Sequence, residues 1–171
     1  DDYPYGGGCG MILMVEPIYN ALKSVKNKKS HIILMSPGGR VFNQSIASNL
    51  KEKKHLIIIC GHYEGVDERI KNFVDEEISI GDYILTGGEI PAMALSDAVV
   101  RLIEGVINKE SLESESFNDN LLDYPVYTKP REFKKLKVPD VLLSGDHKKI
   151  REYRESERIK ITNERRKDIV R

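Results

Sequence analysis

The chain has 171 residues, with 27 Lys and Arg against 27 Asp and Glu, so its formal net charge is zero. That balance excludes a protein whose whole surface is cationic for nucleic acid or anionic lipid. With 40% hydrophobic and 32% charged residues, the chain can bury a core and stay soluble, as one domain or one plus a small appendage. The glycine cluster Gly6-Gly7-Gly8-Cys9-Gly10 leads into a first strand candidate, Met11–Val15. A helix follows over Pro17–Val25, with Pro in its first turn, and then a strand over His31–Met35 that enters Ser36-Pro37-Gly38-Gly39-Arg40. Gln44–Lys54 reads as a helix ending in lysines, His55–Cys60 as a strand, and Gly61-His62-Tyr63-Glu64-Gly65 as the loop after it. A short strand near Glu77–Ile80 enters the segment Gly81–Glu89, and Ile90–Ile103 reads as a helix behind a glycine pair.

Alternating short strands and helices predict an α/β domain with a largely parallel sheet. Ligands of open α/β sheets bind outside the carboxyl ends of the strands, so three glycine loops placed there can converge on one site. Residues 108–120 are polar and acidic without apolar periodicity, and read as a flexible linker. Beyond it, turns around Pro125, Pro130 and Pro139 lead to a helix from Lys148, with Ile150, Tyr153 and Ile159 as buried anchors.

The zero charge is a cancellation. Residues 1–128 hold 12 basic and 19 acidic side chains, a net of −7, whereas residues 129–171 hold 15 basic and 8 acidic, a net of +7. The basic segment suits a phosphate-contacting surface. A solvated helix face laced with Glu152, Glu155, Glu157 and Glu164 has the same composition, so charge alone leaves both open.

Several chemistries lack their signatures. No glycine loop is followed by the Lys-Ser/Thr of a phosphate-binding Walker loop, and Gly6–Gly10 misses the spacing of a dinucleotide fingerprint. In Gly61–Gly65, Tyr63 stands where a hydrolase elbow needs serine. His31, His55, His62 and His147 show no paired metal-ligand spacing, which predicts no zinc site. Cys9 and Cys60 form no CxxC pair, no basic-then-apolar leader stands at Asp1, and no run approaches the roughly 20 apolar residues of a membrane span. A reduced, cytoplasmic setting without a membrane is expected. Backbone groups of glycine loops, with Tyr63 and apolar Ile80, Leu85 and Pro91 beside them, suit a flat base such as adenine. Glu64 offers a partner for an ammonium or a ribose hydroxyl, and the missing lysine clamp disfavours polyphosphate. An adenosine cofactor without phosphates points to S-adenosylmethionine.

At this point four blocks come together: residues 2–11 (DYPYGGGCGM), the Ser-Pro-Gly-Gly-Arg loop, residues 61–69 (GHYEGVDER) and residues 79–93 (SIGDYILTGGEIPAM). With Ser116-Phe117, residues 127–130 (YTKP) and residues 141–147 (VLLSGDH), they closely resemble the bacterial tRNA (guanine-N1)-methyltransferase family over essentially the whole chain. The resemblance implies a SPOUT-class α/β fold, a parallel sheet with a deep trefoil knot, and a small, mostly helical carboxy-terminal domain. It implies a knotted catalytic domain over 1–107, a linker over 108–120 and a basic tRNA-binding domain over 121–171. The reaction implied is methylation of N1 of the guanosine just 3′ of the anticodon, with S-adenosylmethionine as donor and a magnesium ion admitted.

By position, the cofactor contacts implied are Ser36, Pro37, Gly61, Tyr63, Glu64, Gly65, Ile80, Tyr83, Leu85, Gly87, Gly88 and Pro91. Ile80, Leu85 and Pro91 also fit plain core packing. A family aspartate that acts as base aligns with Glu115, and a family arginine with Arg101 on the Ile90–Ile103 helix. Glu115 is a departure from the family pattern, and it also fits one more solvated acid beside Glu110, Glu113 and Asp119. Gly38 is another departure, where the family often carries glutamine. Lys148, Lys149, Arg151 and Arg154 are implied tRNA contacts at the anticodon arm. A homodimer is implied whose active site is shared between subunits. Relatives begin with an additional strand and helix, so the chain reads as lacking that amino-terminal segment. Two other readings stay open: a cofactor- or tRNA-binding module without turnover, and a SPOUT enzyme for a different RNA.

Overall fold

The computed structural model describes residues 1–108, 112, 115–117 and 119–170. The chain divides into two compact units, Asp1–Ile107 and Asn108–Arg171. The linker predicted over 108–120 lies partly outside the described residues, as do two of its acids, Glu110 and Glu113.

In the first unit, β1 (Ser30–Val41) lies between β2 (His55–Ile59) and β3 (Glu76–Ser79), all parallel, with Ile33 opposite Ile58 and Met35 opposite Ile78. The central run Ile32-Ile33-Leu34-Met35 is buried on both faces, as expected of a parallel strand covered on each side. Successive side chains point to opposite faces, and two cores result. Ile33, Met35 and Ile78 pack with Ile46, Ala47 and Leu50 of α2 (Gln44–Leu50) and Leu95 and Val99 of α3 (Glu89–Val100). Ile32, Leu34 and Ile59 pack with Leu22 of α1 (Val15–Val25) and Ile70 of a 3-10 helix, Glu68–Phe73. Each fully buried Ile or Leu in these layers contributes about 1.5–3 kcal/mol.

Several boundaries differ from the sequence reading. Met11–Val15 is no strand: Ile12 and Leu13 make isolated bridges to Asp2 and Val66, and Val15 already opens α1, with Pro17 still in the first turn. The strand predicted over His31–Met35 continues to Val41 through the Pro-Gly-Gly segment, because residues 36–39 form a bulge and Arg40 pairs with β3 again. The helix predicted over Gln44–Lys54 stops at Leu50, after Asn43 caps its start by accepting the Ile46 N–H at 3.0 Å. The helix predicted over Ile90–Ile103 stops at Val100. Glu77–Ile80 is shifted by one residue to Glu76–Ser79, and the 3-10 helix was not anticipated.

The second unit holds a two-stranded antiparallel hairpin, β4 (Glu132–Phe133) and β5 (Leu136–Lys137), a single turn of helix α4 (Asp140–Leu143), and α5 (His147–Arg165). Lys134 and Lys135 form the hairpin turn with φ of 49° and 67°, the left-handed pair that a two-residue hairpin needs. Asp146 caps α5 by accepting the Lys148 and Lys149 N–H groups at 3.1 and 3.2 Å. Ile150 and Tyr153 are half-buried, but Ile159 is 46% exposed and is not the anchor expected. Polar groups hold that end of the helix instead. The fully buried Thr162 hydroxyl accepts the Leu122 N–H at 2.9 Å, and Arg158 donates to the Leu122 carbonyl at 3.3 Å and to Asp119 at 2.6 Å.

Candidate cofactor cavity and basic helix

The bulge within β1 and the loops that follow β2 and β3 wall one cavity of about 350 Å³, a volume in the range of small-molecule sites. Ser36 and Pro37 come from the bulge of β1. There Gly39 is obligatory, since a Cβ would stand 2.5 Å from the Glu77 carbonyl carbon and from the Ile78 nitrogen.

Gly61, Tyr63, Glu64 and Gly65 line the cavity from the loop after β2. That turn is closed by the Gly65 N–H donating to the His62 carbonyl at 3.0 Å, and it holds Tyr63 at φ 58°, a strained conformation for a non-glycine residue. From outside, Glu64 N–H donates to Met11 O at 3.0 Å and Leu13 N–H to Gly65 O at 2.9 Å. Gly10, at φ 81°, leaves no room for a side chain beside Glu64, whose Cγ would lie 2.6 Å from a Cβ. The Gly-rich amino-terminal cluster thus supports the loop that carries Glu64.

The third wall is Ile80, Tyr83, Leu85, Gly87 and Gly88, with Pro91 from the first turn of α3. The second and third loops are joined where they cross. Gly88 N–H donates to Gly61 O at 2.9 Å, His62 and Gly87 form an antiparallel bridge, and His62 Nε2 hydrogen-bonds Glu89 Oε1. That bond holds the Glu89 carboxyl below its ordinary range, while burial and then the Glu89 charge push the Cys60 thiol up.

All twelve residues that the sequence placed at the cofactor therefore border one cavity. Seven further residues border it, His62 and Thr86 among them, and were missed. The signal for His62 was its place inside the Gly61–Gly65 motif, where it was weighed only as a metal ligand. No Lys or Arg is among the described lining residues, and Glu64 supplies a carboxylate. The cavity is suited to a flat apolar ring and to positive charge, and poorly suited to polyphosphate.

Arg101 is the C-cap of α3 rather than a residue within its helix; its N–H donates to Asp97 O at 3.1 Å and it is half-buried. In the second unit, Glu115 is half-buried, and its N–H donates to Leu112 O at 3.4 Å. Lys148, Lys149, Arg151 and Arg154 are all exposed on α5. The Arg154 guanidinium lies 4.6 Å over the Tyr124 ring, beside a cavity of about 420 Å³ that Tyr127, Lys129 and Arg131 also line. Recounted by unit, the charge is −3 for residues 1–107 and +3 for residues 108–171, because residues 108–128 carry 5 acidic side chains against 1 basic. The cationic character belongs to the hairpin and α5, not to the whole second unit. Among the described residues no three His, Cys, Asp or Glu converge as a metal site, and no helix is long and apolar enough to cross a membrane.

Comparison with known proteins gives a consistent result. The family described as tRNA (Guanine-1)-methyltransferase TrmD matches residues 1–171. A tRNA (guanine-N(1)-)-methyltransferase of Dictyoglomus turgidum is 57% identical over 171 residues, covering 99% of this chain and 70% of the relative. The proteins of the same name from Malacoplasma penetrans and Thermotoga maritima are 59% and 56% identical, again over 99% of this chain and 75% and 70% of their own lengths.

Proposed function

The chain belongs to the tRNA (guanine-N1)-methyltransferase family, and on that premise we propose that it methylates N1 of the guanosine immediately 3′ of the anticodon, position 37. The observation that carries the reading is the cavity walled by the β1 bulge and two strand-end loops, with no lysine or arginine among its described lining residues, in a chain matched by that family along its whole length. Family membership places the α/β fold in the SPOUT class; the deep trefoil knot is part of the proposal.

S-adenosylmethionine, when bound, supplies a methyl group on a positively charged sulfur. Ile80, Leu85 and Pro91 would enclose its adenine, with backbone groups of the glycine loops on the polar edge, while Glu64 would meet a hydroxyl or the ammonium. Among the described residues of the wall there is no lysine or arginine to oppose the sulfonium. Held there, it would supply that methyl to N1 of guanine by in-line displacement, the thioether keeping the electron pair of the broken bond and the N1 proton going to a base on the protein. Glu115 takes that proton, and Arg101 stands beside O6, where negative charge builds as N1 loses it.

A second copy of the chain completes the site. The support is α3, which buries Leu95 and Val99 but leaves Ile90, Met93 and Val100 exposed on its other side. The exposed cations of α5 grip the anticodon arm, and the enzyme works in the cytoplasm.

The test is transfer from labelled S-adenosylmethionine to tRNA transcripts with guanosine or adenosine 3′ of the anticodon. Transfer to the guanosine transcript alone is expected; transfer to both overturns the assignment, and cofactor binding without transfer favours a module that does not turn over. EDTA in a parallel reaction reads a magnesium requirement. Glu115→Gln abolishes transfer while the cofactor Kd stays unchanged; near-normal turnover removes Glu115 from the base role.

A further inference from the structure

We propose that the cavity of the second unit is a pocket for one unpaired RNA nucleotide, whose base stacks inside while the phosphates beside it meet cations on the wall. The inference rests on the reading of a tRNA substrate and deepens it, since the exposed cations of α5 account for phosphate contact and leave this cavity without a role. Its volume of about 420 Å³ is that of a small-molecule site. Residues 124–129 supply part of the wall, the foot of the hairpin another part, and α4 and α5 the rest. The Val138 N–H donates to Arg131 O at 3.0 Å, which closes the hairpin foot and sets an apolar residue and a cation side by side on the wall. Leu142 of α4 and Ile150 of α5 add half-buried apolar surface.

Charge and shape together select the occupant. Lys129, Arg131 and Arg154 are exposed on the cavity, and no Asp or Glu is among its described lining residues. A ligand that suits it carries negative charge and a face apolar enough to leave water. Two flat groups stand ready for such a face. The Arg154 guanidinium is laid 4.6 Å over the Tyr124 ring, a planar cation held at the wall. Tyr127 shares a side-chain hydrogen bond with Tyr153 of α5, yet it remains 48% exposed. An aromatic ring that is tied in place and open to solvent, among cations, is a platform on which a nucleobase stacks.

Paired RNA cannot use a concavity of this kind. Its bases are stacked within the helix and its phosphates lie outside, so a duplex meets the lysines and arginines as an array of charge and leaves the pocket empty. An unpaired nucleotide of a loop can turn its base into the cavity, and the phosphates on either side of it supply the negative charge. The pocket therefore adds a preference for single-stranded RNA to an electrostatic contact that has none.

The experiment uses the full chain without cofactor and two RNAs with the same number of phosphates, an anticodon-arm hairpin and a fully paired duplex. The wild-type protein should bind the hairpin about fivefold or more tightly than the duplex, the order expected from stacking one base on an aromatic ring. Tyr127→Leu keeps the apolar bulk and removes the platform. It should erase the preference while the duplex Kd and its salt slope stay unchanged, which also shows the variant to be folded. Tyr127→Phe keeps the ring and should keep the preference. In parallel, iodouridine is placed singly at each loop position, and ultraviolet crosslinks are mapped by mass spectrometry; one position should crosslink to Tyr124 or Tyr127. Crosslinks that all fall outside the cavity, or a Tyr127→Leu protein that still prefers the hairpin, overturn the pocket. A chain that crosslinks at the cavity but transfers no methyl group to tRNA defeats the methylation reading instead and upholds the pocket.

Discussion

Alanine at Gly88 tests how tightly the cavity is built. Its methyl carbon would stand 2.7 Å from the Cys60 Cα, 2.9 Å from the Gly61 nitrogen and 3.1 Å from the Cys60 carbonyl carbon. Carbon atoms in contact rest about 3.5–4.0 Å apart, so the start of α3 must back away from the end of β2 by roughly 1 Å. Backbone atoms cannot swing aside as a side-chain tip can. The native φ of −82° suits alanine, so the penalty is steric alone. Overpacking of this kind costs about 1–3 kcal/mol, which for a unit of this size lowers the melting midpoint by roughly 5 °C or more. The same displacement lengthens the Gly88 to Gly61 hydrogen bond and parts two walls of the cavity. An error of 1 Å in placing reactants costs on the order of 100-fold in turnover. Gly38→Ala, in the β1 bulge, is the control, because its Cβ would meet only Ser36 Oγ at 3.7 Å, and its effect should stay within about 0.5 kcal/mol. Differential scanning fluorimetry with cofactor calorimetry reads both variants. Wild-type stability and affinity in Gly88→Ala, or equal damage in Gly38→Ala, would refute the reasoning.

Three further expectations follow from other parts of the chain. Thr162→Val removes the hydroxyl that accepts the Leu122 N–H and leaves that donor unpaired, at a cost of about 1–3 kcal/mol in urea denaturation; an unchanged midpoint contradicts the polar anchor. The Arg69 side-chain hydrogen bond holds the Asp67 carboxyl down at about 2, below the unfolded-state value near 4, so its contribution to stability is present above about pH 4 and lost as pH falls toward 2. Carboxyl NMR should find that low titration, and Asp67→Asn should flatten the acid limb between those values. Alanine at Lys148, Lys149 and Arg151 should weaken tRNA binding and lower the slope of log K against log salt, whereas a salt-independent affinity removes α5 from the phosphate surface.

What the sequence disclosed and what it concealed have separate physical causes. β2 and the four buried residues of β1 are apolar runs bounded by turn residues, and such runs announce themselves. The cavity segments were legible because each glycine cluster directly follows an apolar run. Pro37-Gly38-Gly39 hid the far half of β1, since the chain returns to β3 only because Gly39 can touch the Glu77 backbone, a tertiary fact without local signature. Met11–Leu13 carry strand-like side chains but pair with the Tyr63 loop, so their partner is no strand at all. Ile159 fitted an apolar helix stripe, yet the contact with residues 119–122 is made by Arg158 and Thr162, and polar anchors leave no hydrophobic period to read. His62 escaped notice because its partner is 27 positions away, and only the crossing of two loops makes it a pair.

The bulge in β1 also bears on how this cavity could be rebuilt. Met35 and Arg40 are both registered on Ile78, so the excursion between them begins and ends on the same rung of its neighbour. Its length is therefore uncoupled from the alignment of the sheet. Residues added between Pro37 and Gly38 need not move either foot, and lengthening such a loop costs only about 0.6 kcal/mol per doubling. That makes the bulge a graft point, where a new wall can be installed over the ligand while the strands beneath keep their register.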